Sequence, residues 1–339
     1  MTDLASPSPP RARLAGRRWR RAAAWSCSVV VVLLVVVAAT LLGPVLRDPS
    51  AGFVARKGRL AGVEVRAATR QGPSVITELR LLADTGLAVD IAVRVPDGPL
   101  KPHAAVLLLG GKGTGRDAAR LTDDIGDVVV AALSYPFAGD PNVKGVQAVL
   151  QLPKIQRAVL DTVPAIMLAT DYLLAQPYID ANRLELVGVS LGAFLVGPAG
   201  ALDERIRRVW IVHGAGNPAG VIDSGLRDDV GIRPLRRMLA SFLTVLAGGR
   251  YLAPEQWVGR ISPRPVIVIN ARDDERLPRA SVDALHAALK PPYEIIWVEG
   301  PHVQPNRPAV IEFLSEQILQ RISDEALPVR SAPQNVPSP

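Results

Sequence analysis

Six short runs in this chain are apolar almost without interruption: "AAVLLLGG" (104–111), "VVVAALSYP" (128–136), "RLELVGVS" (183–190), "RVWIVHGAG" (208–216), "RPVIVINARDD" (264–274) and "YEIIWVEG" (293–300). A strand with one wet face alternates apolar and polar residues, whereas a continuous apolar run marks a strand covered on both faces. Segments of helical period separate several of the runs. In "PKIQRAVLDTVPAIMLATDYLLAQP" (153–177), Ile155, Val159, Val163, Ile166 and Leu173 fall on one stripe, with a kink expected at Pro164. "PRASVDALHAALK" (278–290) and "AVIEFLSEQILQRI" (309–322) read as further helices. Strands alternating with helices require right-handed crossovers, so the chain is expected to fold as an α/β domain with a mostly parallel sheet and helices on both faces. Upstream, "ITELRLLAD" and "LAVDIAVRVPDG" read as a hairpin closed near Asp84, Thr85 and Gly86.

Almost fifty residues, 217–262 at their core, interrupt the alternation, and a long insertion of this kind suits a cap or lid. It contains the amphipathic "PLRRMLASFLTVLAG" (234–248), whose Leu235, Met238, Leu239, Phe242 and Leu243 would either touch a hydrophobic substrate or pack on the core. Residues 323–339 are rich in Pro and Ser and are expected to be a disordered tail.

The N-terminus has a different character. Residues 1–21 hold Arg11, Arg13, Arg17, Arg18, Arg20 and Arg21 against the single acid Asp3, so +5 of the formal +7 lies there. The remaining body is nearly neutral, which excludes a phosphate-tracking surface and with it a nucleic-acid partner. Residues 22–46 then run uncharged. At about 1.5 Å of rise per residue, such a helix spans a hydrocarbon core of about 30 Å. The span is read as a single-pass signal anchor held in membrane lipid, because the apolar run continues past "VAA" (37–39), where a cleaved signal peptide would end. The basic flank favours residues 1–21 in the cytoplasm and the domain from residue 51 outside it. The one cysteine, Cys27, lies inside the span, so no intramolecular disulfide forms, and four dispersed histidines suggest no metal cluster.

Chemistry concentrates at "LELVGVSLGAF" (184–194), where Ser190 sits between Gly188 and Gly192 after a buried strand. G-x-S-x-G by itself is a weak pattern. After a strand and before a small-residue helix it describes a sharp turn that lifts the hydroxyl clear of the sheet. A serine needs a base. His103 precedes its strand, at the wrong end for a parallel sheet, and His286 lies within a predicted helix. His213 borders the carboxyl edge as a lesser candidate, and His302, in the loop "VEGPHVQP" after the last strand, is the best placed. "INARDDERLP" supplies Asp273 or Asp274 as the acid that holds the imidazole in one tautomer.

With these residues the chain resembles the α/β-hydrolase superfamily, and within it the dienelactone-hydrolase-like and acyl-thioesterase-like serine esterases, over about residues 75–322. The resemblance implies an α/β-hydrolase fold and the order Ser190, Asp274, His302 for nucleophile, acid and base. The D-x-x-x-P segment maps onto Asp274 and Pro278 and so selects Asp274 over Asp273. It also implies an oxyanion hole from the backbone N–H of Leu191 and another in "GGKGTG" (110–115), with Lys112 as donor. Here Gly110 stands where a histidine is more usual. The glycine-rich loop lacks the spacing of a phosphate-binding loop.

The function these features imply is a membrane-anchored serine hydrolase acting on a small-molecule ester or thioester, with no cofactor. The same three residues would also serve an acyltransferase or a peptidase, and the fold would serve a catalytically silent binding module.

Overall fold

The computed structural model describes residues 11–323 except 100, 112, 123, 141–146, 148 and 149. Residues 1–10 and the predicted tail from residue 324 onward lie outside the described residues, as does Lys112. The chain divides into two compact units, residues 1–47 and 48–339.

In the first unit a helix of 32 residues runs over Arg11–Leu42. Within it and just beyond, Ser28–Val45 has a mean hydropathy of 2.7, which makes it long and apolar enough to cross a membrane. A signal sequence meets the same description.

The second unit is built on nine strands: β1 (Leu60–Arg70), β2 (Ser74–Ala83), β3 (Ala88–Pro96), β4 (His103–Leu109), β5 (Val128–Leu133), β6 (Ile179–Val189), β7 (Arg208–Val212), β8 (Val266–Ala271) and β9 (Tyr293–Val298). They form one sheet in the order β1-β2-β3-β5-β4-β6-β7-β8-β9. The six continuous apolar runs are β4 to β9, and every neighbouring pair among them is parallel. The predicted hairpin is β2 and β3, antiparallel, with Leu82 opposite Ala88 beside the turn.

β1 is a strand that apolar patterning does not reveal. It pairs antiparallel with β2 at the edge of the sheet, and from Glu64 onward it is exposed along its whole length. Without a face to bury, no apolar period marks it.

Side chains alternate across the strands, so each parallel strand feeds two cores. Val106 of β4, Val187 of β6, Trp210 and Val212 of β7, and Ile267 and Ile269 of β8 share one face with Leu314, Ile318 and Ile322 of the C-terminal helix Pro308–Ser323. The Leu152–Leu174 helix lies against β2, β3, β4 and β6 and runs on through Pro164 without ending, burying Leu160, Val163, Ile166 and Leu173. Each such side chain, fully buried, contributes about 1.5–3 kcal/mol of transfer free energy. Glu185, an acid in the middle of β6, is 1% exposed, ion-paired with Arg208 at 2.6 Å and hydrogen-bonded by the Trp210 indole N–H.

Because β4 and β6 to β9 all point the same way, their C-terminal loops gather at one edge of the sheet. That edge carries Gly110 and Gly111 after β4, Ser190 after β6, His213 after β7, Asp274 after β8 and His302 after β9.

Candidate active site

Ser190 begins a tight 3-10 turn, Ser190–Phe194, that leads from β6 into the Val196–Leu202 helix. Its φ of 55° lies in the left-handed region, where a residue with a Cβ is strained. Two glycines make that turn possible. A Cβ on Gly188 would lie 2.5 Å from Val196 Cγ2, and one on Gly192 would lie 2.0 Å from the Leu109 carbonyl oxygen. Gly111 passes close as well, its missing Cβ only 3.5 Å from Ser190 Cβ. The sequence pattern G-x-S-x-G is therefore a steric requirement here, set by β4 on one side and the following helix on the other.

Three of the predicted residues meet. Ser190 Oγ lies 2.8 Å from His302 Nε2, and His302 Nδ1 lies 2.7 Å from Asp274 Oδ2. With Asp274 ionised, Nδ1 keeps the proton and donates a hydrogen bond to the carboxylate, which leaves the Nε2 lone pair facing the serine hydroxyl. The His302 side chain is 2% exposed and that of Asp274 5%. Burial works to raise the pKa of Asp274, but the His213 and His302 rings against its carboxylate, the charge His302 carries when protonated, and the backbone N–H of Arg276 outweigh it and hold the carboxyl well below its ordinary range. Asp274 Oδ1 takes the N–H groups of Arg276 and Leu277 at 2.9 and 3.0 Å, so both of its oxygens are engaged. Asp273, the alternative acid, is exposed.

The other histidines are accounted for elsewhere. His103 faces Asp127 at 2.8 Å at the amino end of β4, away from the site. His286 Nε2 lies 3.0 Å from Asn270 Oδ1 beside Trp297. His213 does border the site but points at the acid: fully buried, with φ 49°, it sets Nδ1 3.5 Å from Asp274 Oδ2 and accepts the Val303 N–H at 3.1 Å. Its ring meets that of His302 edge-on, centroids 5.2 Å apart.

Glu275 and Arg307 also belong to the site, and sequence reasoning passed over both. Glu275 accepts the His302 backbone N–H at 2.9 Å, while Arg307 donates to the His302 carbonyl at 2.6 Å and to Glu275 at 2.9 Å. A charged pair that grips backbone rather than a reacting side chain leaves no spacing motif to find.

Donor atoms of His213, Asp274 and His302 come within 4.8 Å of one another, a convergence hidden by their dispersal in the sequence. His302 Nδ1 is engaged with Asp274 and His213 Nδ1 with the Val303 N–H, while His213 Nε2 is buried without a hydrogen-bond partner. A metal ion there would have to displace the relay.

Of the two expected oxyanion donors, Leu191 follows the nucleophile on the exposed side of the turn, and Lys112 lies outside the described residues. Beside it, the Gly110 carbonyl accepts the half-buried Tyr135 hydroxyl at 2.7 Å, and the Gly111 carbonyl accepts the Thr114 hydroxyl at 2.9 Å.

From Ser190 a groove, open to solvent along one side, descends between the sheet and the C-terminal helix. Residues 217–262 do not line it. The helix Arg233–Leu246 inside that insertion instead turns Arg236, Ala240 and Thr244 inward and leaves Leu235, Met238 and Phe242 exposed. The expected core packing is therefore corrected for Leu235, Met238 and Phe242, while Leu239 and Leu243 are half-buried and the inward stripe includes the Arg236–Asp223 ion pair at 3.0 Å.

At the level of sequence, no protein-family model and no curated protein matches the chain. Solved structures do. An acetyl xylan esterase from Paenibacillus sp. R4 superposes with a TM-score of 0.57 at 16% identity, over 81% of this chain and 92% of that one. Acetyl xylan esterase 1 from Thermoanaerobacterium sp. JW/SL YS485 gives 0.55 at 15%, over 82% and 94%. The α/β hydrolase GrgF from Penicillium sp. sh18 gives 0.51 at 14%, over 73% and 98%. The chain has the α/β-hydrolase fold, in agreement with the resemblance carried by Ser190, Asp274 and His302; at these identities the likeness is one of fold.

Proposed function

We propose that this protein is a serine hydrolase that cleaves a carboxylic ester or thioester through an acyl-enzyme on Ser190, and that its N-terminal apolar helix anchors it in a membrane with the domain outside the cytoplasm. The observation that carries the reading is the buried relay Ser190 Oγ–His302 Nε2 at 2.8 Å and His302 Nδ1–Asp274 Oδ2 at 2.7 Å, launched from a strained turn. In the first half-reaction Ser190 Oγ bonds to the carbonyl carbon as its proton passes to His302 Nε2. Collapse of the tetrahedral intermediate breaks the bond to the alcohol or thiol, which leaves with that proton. Water then repeats the sequence with His302 as base, releasing the acid and restoring Ser190.

Asp274 stays ionised throughout and stabilises the imidazolium. The Leu191 and Lys112 backbone N–H groups are the proposed donors to the developing oxyanion. Small molecules of the ester or thioester class are the proposed substrates, and no group beyond the chain's own is assigned a step.

The test is fluorophosphonate labelling together with p-nitrophenyl butyrate and butyryl thioester hydrolysis by the full-length protein in lipid nanodiscs, beside Ser190→Ala. Labelling and turnover that both vanish in the variant, with turnover down roughly 10⁴-fold or more, are the expected result. A folded wild type that neither labels nor turns over either substrate overturns the reading.

A further inference from the structure

The groove beside Ser190 narrows the substrate. Strands β4 and β6 lie in the middle of the sheet, where both faces are ordinarily covered. Yet Leu108 of β4 and Val189 of β6 are only partly buried, because the groove runs over them between the short 3-10 helix Gly115–Arg120 and the C-terminal helix. Its floor is Val106, Leu108, Val187 and Val189, and its outer wall is Ile311, Leu314, Ile318 and Leu319.

The polar side chains along it are largely spent on the protein itself. Thr114 Oγ1 donates to the Gly111 carbonyl at 2.9 Å, and Thr122 Oγ1 to the Asp124 carbonyl at 2.8 Å. Gln304 is held between Arg276 at 2.9 Å and Glu275 at 3.1 Å. A sugar or peptide group seated here would give up hydrogen bonds to water and find few replacements. A hydrocarbon chain would give up nothing.

Two elements measure the depth independently. Val106 to Gly110 spans four residues of strand, about 13 Å at about 3.3 Å each. Ile311 to Leu319 spans eight residues of helix, about 12 Å at about 1.5 Å each. An extended alkyl chain with C–C bonds near 1.5 Å and tetrahedral angles advances about 1.25 Å per carbon. We propose that this groove holds the acyl moiety of the substrate as an extended straight chain of roughly ten carbons, running from Ser190 beneath the C-terminal helix. The proposal rests on the serine-hydrolase reading and adds to it which half of the ester is recognised and where.

Each methylene buried in an apolar groove strengthens binding by up to about fourfold. The specificity constant is therefore expected to climb from p-nitrophenyl acetate to octanoate and decanoate by about 100-fold or more. Ser315, on the wall contributed by the C-terminal helix, is the site for an obstruction.

The experiment measures kcat/KM across the acetate-to-decanoate series for full-length wild type, Ser315→Phe and Leu319→Trp in nanodiscs, with the thermal unfolding midpoint and short-alkyl fluorophosphonate labelling of each as controls. A fall of at least about tenfold in the octanoate-to-acetate ratio of either variant that unfolds at the wild-type temperature supports the assignment. A wild-type profile that is flat or highest at acetate, or an unchanged ratio in both folded variants, overturns it while leaving the hydrolase reading intact. Absence of labelling and of all turnover in the wild type removes the hydrolase reading, and the acyl assignment falls with it.

Discussion

The Glu275 carboxylate takes the backbone N–H of His302 at 2.9 Å, so the residue next to the orienting acid fixes the main chain of the base whose ring that acid holds. Burial works to raise the pKa of Glu275, but the His302 N–H and the Arg307 guanidinium outweigh it and keep the carboxyl below its ordinary value. The loop carrying His302 is thus gripped at both its N–H and its carbonyl, the latter by Arg307.

Removing that grip is expected to loosen the base without removing it. Glu275→Ala should lower kcat by about tenfold to 100-fold with little change in KM, since small displacements of a catalytic group are costly. Glu275→Gln, which can still accept the His302 N–H, should recover most of the loss. Equal losses in the two variants would show that charge, and not the hydrogen bond, is what matters.

Asp274→Asn preserves shape but presents an amide to His302 Nδ1, and His213 remains nearby at 3.5 Å from the same position. The imidazole then loses the acceptor that selects its tautomer, and kcat should fall by roughly 10³- to 10⁴-fold. Steady-state kinetics with p-nitrophenyl butyrate checks this, and residual turnover above about a tenth of wild type would mean that Asp274 does not orient the base.

Gly192→Ala tests the turn. Its new Cβ would sit 2.0 Å from the carbonyl oxygen of Leu109, a backbone atom in a central strand that can yield only by moving the sheet. A destabilisation of about 2 kcal/mol or more is expected from urea unfolding, together with loss of Ser190 labelling. Full labelling in a variant of wild-type stability would contradict the steric account.

His286 connects stability to pH. Burial lowers its pKa to about 4, against nearby Asp283, which opposes the shift, and its Nε2 is paired with Asn270. Because the folded value lies below the ordinary 6.5, the neutral ring is favoured by folding. Its contribution is complete above about pH 6.5 and is lost as pH falls from there towards 4, up to on the order of 2 kcal/mol for this partly buried ring. Unfolding free energies measured from pH 7 to 4 should show this slope, and His286→Gln should flatten it.

Much of this was legible beforehand because it depends on neighbours in sequence. Continuous apolar runs specify strands covered on two faces, and alternation with helices specifies a parallel sheet, so β4 to β9, the β2–β3 hairpin and the C-terminal helix could be read directly. Parallel direction also sends every strand's C-terminal loop to one edge, which is why Ser190, His302 and one of Asp273 and Asp274 could be nominated from chain order, the family resemblance selecting Asp274. Their distances were decided by tertiary packing: 2.8 and 2.7 Å between residues 112 and 28 positions apart cannot be encoded locally.

Three further features belonged to the folded chain alone. β1 exists because β2 offers it an edge, although it buries almost nothing of its own. The Arg233–Leu246 helix presents an apolar stripe that the sequence would turn inward, because the Arg236–Asp223 pair took the inner side. The groove exists because the C-terminal helix and the 3-10 helix stand apart over Leu108 and Val189. Periodicity tells each segment which face is apolar; which surface that face meets, or whether any surface meets it, depends on how distant elements fill the space between them.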